Sequence, residues 1–150
     1  MFKKLVKNER GLTLIELLAV VVILGIIAAI AIPAIGGMIN NSRIDAHIGN
    51  AKTIANAARL SVAAEATPIP DDGVTISLED LIEDNLLEAI EDPSTDGDYT
   101  AADTEVTVTQ GENEVIYQVQ LVTGDHSYVV VESGDIPNAD DLERENIDLP

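Results

Sequence analysis

A basic head stops at Gly11 and passes directly into a long apolar run that holds one carboxylate, and nothing else in this chain constrains its fold as strongly. Lys3, Lys4, Lys7 and Arg10 stand against Glu9 in residues 1–11, a net charge of +3. The run Leu12-Thr13-Leu14-Ile15-Glu16-Leu17-Leu18 follows, and the next charged side chain after Glu16 is Arg43. The 26 uncharged residues from Leu17 to Ser42 reach roughly 39 Å as an α-helix, more than a hydrocarbon core of about 30 Å. A secretory signal peptide has an apolar region of only about 7–15 residues. The run therefore reads as a membrane anchor, although Ala31-Ile32-Pro33-Ala34-Ile35-Gly36-Gly37 offers the small residues a signal peptidase accepts. The positive head is expected to stay cytoplasmic and everything after Arg43 to lie outside. A carboxylate inside such a segment is costly and marks a functional position by default. Its plain alternative is a charge snorkelling at the membrane face of a simple anchor.

The combination of basic head, Gly11, Thr13-Leu14-Ile15-Glu16-Leu17-Leu18 and Pro33 resembles the N-terminus of type IV prepilins and of the pseudopilins of secretion and DNA-uptake machines. The resemblance covers roughly residues 1–60. It implies that a prepilin peptidase cuts between Gly11 and Leu12 and methylates the new N-terminus at Leu12. It also implies that Glu16 pairs with the terminal amine of a neighbouring subunit during assembly, which suits the need of a buried carboxylate for a partner. Gly25 and Pro33 match positions where pilins often carry a helix-weakening pair. Leu12 departs from the family's commonest residue, Phe.

Charge is distributed very unevenly. Residues 61–150 hold 24 acidic side chains and one basic one, Arg144. Such a surface repels phosphates, so direct nucleic-acid binding by this half is not expected; it keeps the domain soluble and hydrated. The chain has no cysteine, which excludes disulfides, catalytic thiols and thiolate-bound metals.

Residues 42–66 continue the helical pattern. Ile44, Ile48, Ala51, Ala55, Ala58 and Val62 recur at spacings of three and four. One helix is thus expected from Leu12 to Ala66, roughly 80 Å if straight. Residues 12–41 would form its transmembrane or filament-core part, and residues 42–66 an amphipathic part packed on a globular head. Pro68 and Pro70 end it. Ser77 with Asp80 predicts a capped second helix that finishes near Glu91. Alternation predicts strands over 105–109, 114–122 and 127–132, joined by turns at Gly111-Glu112-Asn113 and Thr123-Gly124-Asp125-His126. The fold class is α+β: a long helix on a three-stranded antiparallel sheet, an order of elements also found in pilins. The head is expected over 67–133, and 134–150 reads as a mobile acidic tail with a helical turn near Leu142.

Little here points to catalysis. No phosphate-binding loop is present, and His47 and His126, the only histidines, fall in different elements and read as surface residues. One stretch, Asp92 to Asp103, places oxygen side chains at Asp92, Ser94, Asp96, Asp98 and Asp103 with Gly97 between. This spacing matches the EF-hand loop at positions 1, 3, 5 and 12, with glycine at 6, and the calcium site of major pseudopilins adds to the expectation of Ca²⁺ here. Against it, the last ligand is Asp rather than Glu, Pro93 occupies position 2, and no helix follows. An acidic turn before a strand is the plain alternative.

The resemblance implies a non-enzymatic structural subunit of a type IV pilus, polymerised with copies of itself and served by prepilin peptidase, an assembly platform and its ATPase. Such a subunit waits in the cell membrane and ends in a surface filament used for adhesion, motility or DNA uptake. The alternatives are a pseudopilin of a type II secretion or competence system, and a membrane-anchored binding domain that never polymerises. The mature chain would carry only Tyr99, Tyr117 and Tyr128 as aromatic residues, none in the long helix, so electron transport along a helical core is not expected.

Overall fold

In a computed structural model, residues 9–65, 68–131 and 134–150 are described, with side chains from Thr13 onward. The chain divides into two compact units, Met1–Asn40 and Asn41–Pro150. Helix α1, Glu9–Glu65, contributes to both and is α-helical through Gly25 and Pro33. It stops short of Pro68 and Pro70, where a proline would remove a donor and clash with the preceding turn.

The first unit is, in its described part, helix alone. Apart from half-buried Ala31, every residue from Thr13 to Asn40 is exposed. Leu14 is 68% exposed and Met38 70%. By length and composition this helix can cross a membrane, and a helix satisfies its own backbone groups in a medium without water.

The second unit is built on a three-stranded antiparallel sheet of β1 (Val74–Ser77), β2 (Glu105–Gln110) and β3 (Val115–Gln120), in that order. The register pairs Val74 with Val108, Ile76 with Val106, Val106 with Val119 and Val108 with Tyr117. One face therefore collects these apolar residues, while Thr75, Thr107 and Gln118 fall on the other. The apolar face joins the second half of α1 in a single core. Ala51, Ile54, Ala55, Ala57 and Ala58 of α1 meet Val106, Val108, Tyr117, Val119, Leu78, Leu81 and Leu121 there. Four alanines on that stripe leave the helix little side-chain volume, which permits close approach of the sheet.

Helix α2, Leu78–Glu83, begins at the expected cap. The Ser77 hydroxyl accepts from Asp80 N–H at 3.1 Å, and the Asp80 carboxylate accepts from Ser77 N–H at 3.2 Å. The Ser77 hydroxyl also donates to that carboxylate at 2.6 Å, and this bond, with the Ser77 N–H second, holds Asp80 below the usual carboxylate range. The helix is shorter than expected, because it ends at Glu83 and Asn85 takes a positive φ of 56°. Asn tolerates that conformation better than most residues. Leu86 and Ile90 still pack on the core from the irregular chain that follows.

Two further expectations are corrected. The third strand of the sheet is β1, not residues 127–132. Of the described residues there, Ser127 belongs to β5 (His126–Ser127), paired with β4 (Val122–Thr123) as strands of two residues each, and Val129 makes an isolated bridge to Ile147. Residues 134–150 are not a mobile tail. Ala139, Leu142 and Ile147 are buried in the core, and Asn138 bridges to Gln118 of β3. The segment's few apolar residues are spread without a helical or strand period, so the pattern did not announce them. Two ion pairs fasten this segment to α1. Arg144 holds Asp45 with two bonds of 2.7 Å. Arg59 reaches Asp140 and also lies over the Tyr117 ring at 4.8 Å.

Candidate functional site

Glu16 is exposed within the apolar helix, flanked by Leu14, Ile15, Leu17 and Leu18, each more than 60% exposed. The next charged residue on α1, Arg43, lies 27 positions on, about 40 Å along a helix. An isolated carboxylate on an apolar cylinder is a group that has to find its counter-charge elsewhere. A Cβ at Gly25 would meet no atom within 4 Å beyond the adjoining turns of its own helix. Pro33 leaves one helical carbonyl of the preceding turn without its donor. The leader residues 1–8, and the side chains of Glu9–Leu12 around the expected cut after Gly11, lie outside the described residues.

A second constellation, not read from the sequence, lies in the other unit. His47 is fully buried rather than on the surface, and this corrects the expectation. It lies on the packed face of α1 with Ile44, Ile48 and Ala51. Its ring nitrogens are both engaged: Nδ1 lies 2.6 Å from the Tyr99 hydroxyl and Nε2 2.8 Å from the Ser94 hydroxyl. Tyr128 stacks on the imidazole at 4.0 Å with 28° between planes, and His126 meets Tyr128 edge-on at 4.7 Å. Asp92, also buried, accepts from Ser94 N–H at 2.7 Å, from the Thr123 hydroxyl at 2.6 Å and from the Tyr128 hydroxyl. Burial works against its charge, but these donors and nearby His47 outweigh burial and hold Asp92 below the usual carboxylate range. Burial and the adjacent Asp92 push Tyr128 up to about 12.

This arrangement bears on the expected calcium loop. Asp92 turns inward to Thr123 and Tyr128, and Ser94 turns to His47. Asp96, Asp98 and Asp103 are exposed. Asp96 and Asp98 line an open acidic hollow with Glu91, Asp92, Thr95 and Gly97. Among the described residues, no three His, Cys, Asp or Glu side chains are grouped to hold a metal ion. The two residues that would begin the ligand set are instead committed to the protein's own hydrogen bonds. Sequence spacing could not show this, because Thr123, Tyr128 and His47 reach the loop from distant segments.

Comparison with known proteins places the apolar helix. Residues 6–32 match the family profile described as the prokaryotic N-terminal methylation motif. No curated protein and no solved structure matches the chain. The matched residues include Lys7, Arg10, Gly11, Glu16 and Gly25. Residues 6–32 are thus similar to the class III signal peptide of type IV pilins and pseudopilins.

Proposed function

We propose that the chain is a structural subunit of a type IV pilus. The precursor waits in the cell membrane with residues 1–11 on the cytoplasmic side. Prepilin peptidase removes those residues and methylates Leu12. The assembly platform and its ATPase then move the subunit into a filament of identical copies. The observation that carries this reading is the exposed apolar helix from Thr13 to Asn40 with Glu16 as its one charge. In the membrane, lipid covers that surface. In a filament, the same surface packs against neighbouring helices, and the new amine of one Leu12 neutralises Glu16 of another subunit. Each ion thereby gains the partner that makes its burial tolerable. The head, net acidic and hydrated, faces outward.

Shearing cells that produce the native chain and a Glu16→Ala variant tests this. The native chain is expected in the sheared surface fraction as filaments, and the variant in the membrane fraction alone. A native chain that forms no surface filament, yet needs Glu16 to leave the membrane, would assign it to a pseudopilus. Indifference to the substitution would leave a plain anchored domain.

A further inference from the structure

Residues 134–150 carry six acidic side chains and one basic one, Arg144, and they lie on a body, residues 41–131, that holds 18 acidic side chains and three basic ones. We infer that this segment is a salt-held strap: it stays on α1 and β3 at high ionic strength and comes away at low ionic strength, while the helix–sheet core stays folded. The inference concerns the head alone and stands whether or not the apolar helix polymerises.

Strap and body repel each other. Asp135, Asp140, Asp141, Glu143, Glu145 and Asp148, the six acids of the strap, are all exposed. When screening is weak, an excess of like charge acts across the whole domain. The Debye length is about 30 Å at roughly 0.01 M salt and about 3 Å at roughly 1 M. A domain of about 100 residues has a radius of gyration of roughly 13 Å. At low salt the strap therefore feels the body's full excess of acid. At high salt it feels only its immediate neighbours.

The ionic attractions that oppose this are few. Arg144 holds Asp45, and Arg59 holds Asp140. These pairs fix where the strap lies. They are at the surface, with the Arg144 and Asp45 side chains 58% and 50% exposed, and exposed pairs contribute only modestly to stability. Salt weakens them as well, so the sign of the salt effect shows which interaction governs. Ion pairs alone would loosen the strap as salt rises, whereas repulsion would tighten it. Two contact pairs stand against an excess of acid on both sides, and repulsion prevails.

The rest of the attachment is light. Ala139, Leu142 and Ile147 are buried, and this apolar contact, which salt does not screen, seats the strap once the repulsion is screened. Val130 N–H donates to Asn146 O at 2.9 Å and Asp148 N–H to Tyr128 O at 2.8 Å. Contact with β3 runs through side chains: Asn138 Oδ1 accepts from Tyr117 N–H at 3.4 Å, and the Gln118 amide donates to Ile136 O at 2.6 Å. Segments fastened this way open before the whole molecule unfolds.

Amide hydrogen exchange on the full chain in micelles of an uncharged detergent, at one neutral pH, tests the strap. Protection factors, referenced to the urea-unfolded chain at the same salt, are compared at about 0.01 M and about 1 M sodium chloride, the two screening limits. Protection at Val130 and Asp148 is expected to be at least tenfold lower at the lower salt. Protection at Val106, Val108 and Val119 should differ by less than about twofold. Combining Asp141→Asn, Glu145→Gln and Asp148→Asn should remove most of the salt dependence at Val130. Equal protection of Val130 and Asp148 at the two salts overturns the inference, and so does protection that falls as salt rises. A matched loss in strap and sheet at low salt also overturns it, because the head then opens as one body. If the triple variant does not fold, the native comparison decides alone.

Discussion

The hydroxyl of Tyr128 donates to the carboxylate of Asp92, and both groups are buried. This bond joins the chain after β5 to the loop that follows α2, and Thr123 donates to the same carboxylate oxygen. Removing the Tyr128 hydroxyl takes a donor from a buried charge and leaves the ring stacked on His47. Tyr128→Phe is expected to lower stability by about 1.5–3 kcal/mol, the usual range for a hydrogen bond to a charged group. Chemical denaturation of the two proteins side by side, with unchanged m-value, checks this.

Acid should weaken the head in two stages. The pKa of Asp92 is depressed in the folded state, so its contribution is present above the unfolded value of about 3.9 and is lost as pH falls through the lower folded value. His47 is depressed as well. The unfolded chain therefore takes up its proton first, and stability declines as pH drops below about 6.5. A plot of unfolding free energy against pH should slope downward from near neutrality and steepen below about pH 4. His47→Gln should flatten the first part alone.

Gly73 holds a φ of +79° beside β2, where a Cβ would sit 2.9 Å from Thr109 Cγ2 and 2.9 Å from the Val108 carbonyl oxygen. Its N–H also closes the turn onto Pro70 O at 2.9 Å. Gly73→Ala combines an unfavourable backbone conformation with a clash against backbone. A loss of about 1–3 kcal/mol is expected, read as a lower melting temperature. Gly97→Ala, with open space around it, should change little.

Glu16 should matter for assembly and not for folding. Glu16→Gln keeps size and helix propensity but removes the charge that an amine would meet. Filament yield is expected to drop at least tenfold, while circular dichroism and thermal unfolding of the head stay as in the native chain. A matched loss of both would mean that Glu16 supports the subunit rather than the polymer.

The long helix was legible because its signals are local: Gly11, Glu16, an unbroken apolar run, and a stripe of Ile and Ala at helical spacing. The cap at Ser77 and Asp80 was legible for the same reason. The strands over 105–120 showed as alternation with a glycine turn. What escaped depends on distant partners. Val74–Ser77 is too short to show a period and becomes a strand only because β2 offers it an edge. Ala139, Leu142 and Ile147 look isolated in an acidic stretch until Arg144–Asp45 and Arg59–Asp140 lay that stretch on α1. His47 looks like a polar interruption of an apolar stripe, yet it is fully buried because Tyr99, Ser94 and Tyr128 come to meet it.

Intact mass and N-terminal sequencing of the chain from its native membrane and surface fractions test the central claim most directly. The account predicts a chain that begins at Leu12 with a methylated amine. A chain from prepilin-peptidase-positive cells that still begins at Met1 would contradict it.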